Sequence, residues 1–397
     1  MYTFTSNLEK NEYDKFVENY PMASFMQEYE WANIKDNWGN FHCGLYKDDK
    51  LVAVCMILVK TVFKSIKLFY IPRGYLIDFN NLDDLKEMTN QIKFLAKQNH
   101  AYVVKIDPNF CISDNSFKNE EVEHNYSKDY EIKHNNLIKL GYKHTGINKD
   151  LHTNLQPQYN VFAPMCDINS NILTSDEVLK TYGRIKSYCG NYHTKRGISF
   201  EITNDINRVD DLVDLLKQTE KKQNINLRNK DYFVRIMENF KDSAYLVFGY
   251  IDLIKYLNFL KENSGKEEAI EEANNLIKEY GNTMTLSTAL ILLPKNKIGI
   301  RTSEYLYAGN SLHLTNLHVS VGLVFEIIKF SIENNCHYCN LGGVDGNLND
   351  RLTTFKQRFN GRIMEFAGEY DLPTSWLYYP IKIFYPLLKK LYKLIKR

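Results

Sequence analysis

The sequence has no long hydrophobic run. The longest, Leu51 to Val59, is broken by Lys60, far too short to span a bilayer. The opening residues, MYTFTSNLEKNEYDKF, lack the apolar h-region of a secretory signal, so a cytoplasmic protein is expected. Proline and glycine are sparse, nine and 19 in 397 residues, which argues against long disordered linkers. No sign of charge dominates either. A net charge of +2 at pH 7 supplies no overall field that would draw in nucleic acid.

Pairing is also missing among the seven cysteines, at 43, 55, 111, 166, 189, 336 and 339. An odd, scattered set reads as reduced thiols. Cys336-His337-Tyr338-Cys339 is the lone CxxC, with no second pair or HxxxH to complete a zinc site. Buried packing is therefore expected there and no metal. Neither a G-x-S-x-G string nor a Cys–His signature occurs, so no strongly activated nucleophile is expected.

What is present is an α/β (α+β) pattern that occurs twice. Gly44 to Lys50 followed by Leu51 to Met56 reads as a hairpin with a polar turn. Lys67 to Ile71 makes a strand stopped by Pro72. Apolar residues at 85, 88, 92 and 95 predict an amphipathic helix from Leu82 to Asn99, before a strand from Ala101 to Ile106. Later, Thr288–Leu293 and Ile298–Thr302 flank a turn at Pro294 to Lys297. Tyr305-Leu306-Tyr307 follows, then a helix over Val321 to Glu333 and a strand from His337 to Leu341. Hairpin, strand, helix, strand in both halves predicts two related lobes.

The second copy carries an insertion. Leu253, Leu257 and Leu260 line one helical face, Asn263-Ser264-Gly265 turns, and Ile270, Ala273, Ile277 and Tyr280 line another face, with Gly281 as the stop. This helical hairpin, 252–280, is read either as a solvated pair packed on its lobe or as a substrate-contacting arm. The division expected is 1–165 for the first lobe, 166–375 for the second with its arm, and 376–397 for a tail. The tail has six basic residues after Trp376 and no acid, with Leu387, Leu391, Leu394 and Ile395 on one helical face. Such a segment can lie on an anionic membrane surface, cap the core, or touch RNA phosphates.

Several strings, in order, resemble the Fem family of cell-wall aminoacyltransferases. Phe25 to Lys35 is similar to its Q-x-x-x-W-x-x-x-K opening. Ile71-Pro72-Arg73-Gly74, Lys105-Ile106-Asp107-Pro108, Leu140-Gly141-Tyr142 and Leu155-Gln156-Pro157 follow, and Arg228 with Tyr232 fits an R-x-x-x-Y pair. The strongest match is Leu341-Gly342-Gly343-Val344-Asp345-Gly346, then Phe355-Lys356-Gln357-Arg358-Phe359, then Phe366-Ala367-Gly368-Glu369-Tyr370. The resemblance runs from about residue 20 to 375.

The resemblance implies two GNAT-like lobes with a short helical arm in the second. It also implies an activity: transfer of Ser, Ala or Gly from aminoacyl-tRNA to the stem-peptide amine of lipid II or UDP-MurNAc-pentapeptide. Charged tRNA is then a co-substrate, and no other cofactor is implied. Lys35, Arg228 and Tyr232 are implied as precursor-binding. Arg228 can grip a phosphate bidentately and Tyr232 can donate from the same helical face. Lys356, beside Phe355 in a substrate-binding segment, can steady an oxyanion or the terminal adenosine phosphate of tRNA. Tyr307 can orient the peptide or relay a proton, and Asp107 either accepts a proton or simply closes a turn. Alternative readings are a GNAT-type acyl-CoA transferase and a non-catalytic, membrane-peripheral binder of a nucleotide-sugar or RNA. The first is weakened because no [QR]-x-x-G-x-[GA] loop precedes Val321 or Leu82. The basic tail favours a membrane-bound acceptor and peripheral contact with the cytoplasmic membrane face.

Overall fold

Lys47 and Lys50 are joined by Asp48 and Asp49, both in the left-handed region at φ 48° and 63°, the geometry that matches the twist of a two-residue hairpin. From that hairpin the first sheet of the computed structural model grows. The structure describes residues 1–118, 121–223 and 228–384. In chain order the strands are β1 (Tyr2–Thr5), β2 (Gly39–Lys47), β3 (Lys50–Phe63), β4 (Ile66–Ile71), β5 (Ala101–Ile106), β6 (Cys111–Lys118), β7 (Glu121–Glu123) and β8 (Lys143–His144). There follow β9 (Tyr159–Pro164), β10 (Ile198–Thr203), β11 (Ala244–Asp252), β12 (Thr283–Leu292), β13 (Thr302–Asn310), β14 (Tyr338–Val344), β15 (Arg362–Phe366) and β16 (Tyr370–Pro373).

The first sheet runs β1-β2-β3-β4-β5-β16-β8 and the second β10-β11-β12-β13-β14-β9-β15-β6-β7. Among the described strands β4–β5 and β13–β14 pair in parallel, and each of these parallel pairs needs a crossover. The helix Leu82–Gln98 supplies the first, with Leu85, Met88, Ile92 and Leu95 buried and Asn81 capping its N-terminus. The helix Val319–Glu333 supplies the second. The core β2-β3-β4-helix-β5 thus recurs as β11-β12-β13-helix-β14. The sheets are not consecutive in the chain. β9 and β6, from before residue 165, lie in the second sheet, while β16 pairs with β5 in the first.

The second hairpin differs from the expectation. Residues 298–301 are not a strand; the return strand is β13, and it already contains Tyr305 to Tyr307. The backbone of this loop bonds to the first lobe instead: Lys297 N–H donates to the Glu18 carbonyl at 2.8 Å and Ile300 N–H to Pro21 at 2.9 Å. Glycine is required at 299, where φ is +66° and a Cβ would lie 2.2 Å from the Pro21 carbonyl oxygen. Between the lobes, Trp31, Ile34, Met56 and Leu58 share one apolar core with Phe233, Ile236, Phe240 and Leu290.

The arm is formed by the helices Leu253–Glu262 and Glu267–Tyr280. It stands where the first lobe has only Asp48-Asp49. Leu253, Leu257 and Leu260 are buried as expected, but the inner face of the second helix is Ala273 and Leu276, with Ile270 and Ile277 half-buried and Tyr280 exposed. Cys336 and Cys339 are both free and buried. Trp376, Tyr379, Ile383 and Phe384 are exposed. The amphipathic face expected from Leu387 to Ile395 lies outside the described residues. Among the described residues no helix is long and apolar enough to cross a membrane.

Candidate active site

β4 and β5 stay paired through Ile71 and Ile106, but β13 and β14 pair over only three rungs, 302–304 with 338–340, and then part. Where they part, Gly342 adopts φ +86°, a conformation that favours glycine. Lys356 comes up behind this point from the short helix Arg351–Gln357, which Asp350 caps through the N–H groups of Leu352 and Thr353. Its Nζ donates to the Gly343 carbonyl at 2.8 Å. A Cβ on Gly342 would lie 3.5 Å from that nitrogen. Lys356 is 5% exposed. Burial holds its amine down at about 7, with Asp350 pulling the other way.

The first lobe supplies the facing wall, built from three strings that are distant in sequence. Gln27 Nε2 donates to the carbonyls of Arg73 and Gly74 at 2.9 and 3.2 Å. Arg73 N–H in turn donates to Asp107 Oδ1 at 2.9 Å. Arg73 holds φ 56° and Gly74 φ 73°, so two successive left-handed residues turn the arginine toward the second lobe. A non-glycine residue in that region costs about 1–2 kcal/mol and is kept only where its surroundings impose it. Asp107 is buried, with the Tyr70 phenol close to its carboxyl, and Oδ2 makes no hydrogen bond among the described residues. Burial pushes its carboxyl up to about 7, against the pull of Arg73.

Between these walls lies a cavity of about 370 Å³. Lys35, Arg228, Tyr232 and Tyr307 all line it. Lys35 Nζ sits 5.0 Å from the Trp31 ring and 5.7 Å from the Tyr232 ring, and the Arg228 guanidinium lies 5.2 Å from the same phenol. Tyr307 donates its hydroxyl to Tyr232 at 3.2 Å. Burial, and then Arg228, lower the Lys35 amine to about 8. Two cations and two phenols around one opening suit a phosphate-bearing ligand.

Four of the seven predicted residues therefore meet at one cavity. Lys356 and Asp107 stand directly behind its walls, through Gly343 and Arg73. Phe355 is not brought there; it packs on the second-lobe core with its ring 5.5 Å from Phe359. The cavity wall also holds polar residues outside the predicted set, Arg73, Glu304 and Asn340 among them. Arg73 lies in the string Ile71 to Gly74. Glu304 and Asn340 carry no local signal, because they meet only across the parallel rung.

The FemAB family model matches residues 8–269 and 261–386. "Aminoacyltransferase FemA" of Staphylococcus epidermidis is 21% identical over 432 residues, covering 98% of this chain and 99% of that protein. "Lipid II:glycine glycyltransferase" of Staphylococcus aureus is 24% identical over 412 residues, covering 92% and 91%. Among solved structures, FemX aligns over the whole of both chains with a TM-score of 0.74 and 23% identity. A tandem GNAT protein from the clavulanic acid pathway aligns over 94% of this chain and 99% of its own at 0.50, with 5% identity. These likenesses establish the fold as two GNAT-like lobes, and the family model, matched over nearly the full length, settles the lineage. The chain belongs to the FemAB family and is an aminoacyltransferase.

Proposed function

We propose that the protein transfers an amino acid (Ser, Ala or Gly) from aminoacyl-tRNA to the stem-peptide amine of a peptidoglycan precursor, building the interpeptide bridge. The observation that carries this is the cavity between the lobes, with Lys35, Arg228 and Tyr232 at one side and Lys356 behind the Gly342-Gly343 turn at the other. The cations suit the diphosphate of lipid II or of UDP-MurNAc-pentapeptide. That the Staphylococcus aureus relative is named for glycine transfer to lipid II supports the lipid-linked acceptor. Exposed Trp376, Tyr379, Ile383 and Phe384 at the end of the described chain support contact with the membrane that carries such an acceptor.

In the reaction the acceptor nitrogen attacks the ester carbonyl of the donor, the C–N bond forms, and the ribose oxygen leaves with the electron pair. The nitrogen gives up a proton and the departing oxygen gains one. The ester is already activated, so holding amine and carbonyl together supplies most of the rate, an effect of about 7–11 kcal/mol. Lys356 steadies charge on the carbonyl oxygen or on the terminal adenosine phosphate, and Tyr307 orients the peptide. Asp107 acts through Arg73 or takes the amine's proton. No dissociable cofactor enters the proposal; charged tRNA is consumed as a substrate.

Transfer of radiolabelled Ser, Ala or Gly from charged tRNA, to lipid II and separately to the soluble UDP-linked pentapeptide, tests the reading with wild type and Lys356→Ala. Label reaching either acceptor, and lost in the variant, is the expected result. Absence of transfer from every charged tRNA, with acyl transfer from CoA in its place, would overturn it.

A further inference from the structure

Glu304 is a cavity carboxylate that the proposed chemistry leaves unused. It stands on the last parallel rung before β13 and β14 separate, its Cα opposite that of Asn340. Strand alternation sends Ser303 and Cys339 into the core, where both are fully buried, and turns Glu304 and Asn340 to the cavity. Asn340 is committed at both ends of its amide. Its Oδ1 accepts from Gly342 N–H at 2.9 Å, and its Nδ2 donates to Glu304 Oε2 at 2.8 Å. The orientation of that amide follows from the pattern. The second carboxyl oxygen, Oε1, has no protein partner among the described residues, and no lysine or arginine closes an ion pair on it there.

The cation acting on this carboxylate is Arg73. Its guanidinium stacks on the Phe366 ring, 4.3 Å away, and it acts on Glu304 through charge alone, with no ion pair between the two among the described residues. Glu304 is thus fixed by Asn340, open on one oxygen, and set at the point where the strands part beside Tyr305 and Gly342. A half-buried carboxylate facing a cavity with one free oxygen suits a compact cation with several donors. A primary ammonium fits that description, and a phosphate or a neutral acyl group does not. We infer that Glu304, held by Asn340, seats a primary ammonium carried by one of the two reacting substrates: the α-ammonium of the aminoacyl donor or the amine of the acceptor. The inference rests on the reaction proposed above and deepens it, because it gives the site a means to select an aminoacyl group over a plain acyl group. Burial pushes the Glu304 carboxyl up to about 8, so an arriving ammonium also draws that proton off.

Calorimetry on wild type and Glu304→Gln, with each ligand in its free-amine and N-acetylated form, separates the sources. The donor probe is 3′-aminoacylamino-3′-deoxyadenosine carrying the transferred amino acid, and the acceptor probe is UDP-MurNAc-pentapeptide. For one pair, wild type should bind the free amine at least tenfold more tightly than its N-acetyl form, and Glu304→Gln should bind both equally weakly. The pair showing that coupling identifies the ammonium. If N-acetylation costs the same in wild type and variant for both pairs, the inference falls. Should Glu304→Gln lack a cooperative melting transition, the wild-type arm decides alone, since equal binding of free and acetylated forms for both pairs would overturn it. Wild-type label transfer distinguishes the two levels: no transfer from charged tRNA sinks the reaction, whereas transfer without coupling at Glu304 sinks this inference only.

Discussion

The Tyr307 hydroxyl donates to the Tyr232 hydroxyl at 3.2 Å, tying β13 to the helix Lys230–Phe240 across the cavity wall. The rings also meet edge to face, with centroids 5.9 Å apart, and Tyr307 stands 5.0 Å from Phe233 in the same manner. Tyr307→Phe keeps both ring contacts and removes only the donor. The stability cost is therefore expected at about 0.5–1.5 kcal/mol, read from urea unfolding. If the hydroxyl orients the peptide, kcat/KM for the acceptor should fall about tenfold, an effect of about 1.4 kcal/mol. An unchanged kcat/KM would leave Tyr307 a packing residue.

Lys356 gives a sharper test, because its burial has a sign. Its amine stands at about 7 in the folded chain against an ordinary 10.5. Between those values the unfolded chain holds a proton that the folded chain does not. Stability therefore falls as pH drops from 10.5 toward 7 and levels off below that. The whole effect is of order 5 kcal/mol. Lys356→Met removes it, at the cost of leaving the Gly343 carbonyl without its partner, about 1–3 kcal/mol. Denaturant unfolding at pH 7 and 9.5 should show the variant no less stable than wild type at pH 7, with a shallower pH dependence. Transfer should drop about 10²–10³-fold, the range for losing one oxyanion donor. Retained transfer in a folded variant would remove Lys356 from the chemistry.

Local signals carried the sequence reading where the physics is local. The helix Leu82–Gln98 follows from a 3.6-residue repeat, and the β2–β3 hairpin from its polar turn. The return strand β13 begins later than the expected Ile298–Thr302 because the loop before it bonds to Glu18 and Pro21 in the other lobe, a partner that periodicity does not reveal. The same holds for β9 and β16, whose partners lie far away in the chain. Within the site, Lys35, Arg228, Tyr232 and Tyr307 were reachable through the strings that hold them or their strand position. Phe355 was grouped with Lys356, yet successive helical residues point about 100° apart, so one faces the glycine turn and the other the core. Glu304 and Asn340 were invisible for a related reason: each is an ordinary polar residue until the parallel rung sets them side by side.

Lys35 and Arg228 make a prediction about the acceptor. Arg228 is exposed at the cavity mouth, where it can grip a diphosphate at little cost to the fold. Arg228→Ala should raise the acceptor KM about 10–100-fold, the loss of one charge-assisted contact of about 1.5–3 kcal/mol, with kcat changed far less. Lys35 stands near 8, so it is charged below that pH and neutral above it. Binding of UDP-MurNAc-pentapeptide, followed by calorimetry, should weaken as pH rises from 7 to 9. Lys35→Arg keeps the charge throughout and should flatten that dependence. A flat wild-type profile would place the phosphates elsewhere.

Asp107 separates a base from a turn. Its Oδ1 holds Arg73 N–H at 2.9 Å, and its Oδ2 makes no hydrogen bond among the described residues. Folding raises its carboxyl from an ordinary 3.8 to about 7. As pH rises from 4 to 7 the unfolded chain loses its proton first, so the folded state is progressively penalised over that window and stays so above it. Asp107→Asn keeps an oxygen for Arg73 N–H and removes the buried charge, but places an unpartnered NH₂ where Oδ2 was. These terms are each a few kcal/mol and opposed, so stability at pH 7 should stay within about 2 kcal/mol of wild type. Kinetics then decide the role. If the carboxylate accepts the amine's proton, kcat should fall about 10²–10⁴-fold, and any limb near pH 7 in the wild-type kcat profile should vanish. If Asp107 only fixes Arg73, Asn serves equally well: kcat and its pH profile survive, and the proton must leave by the departing ribose oxygen instead.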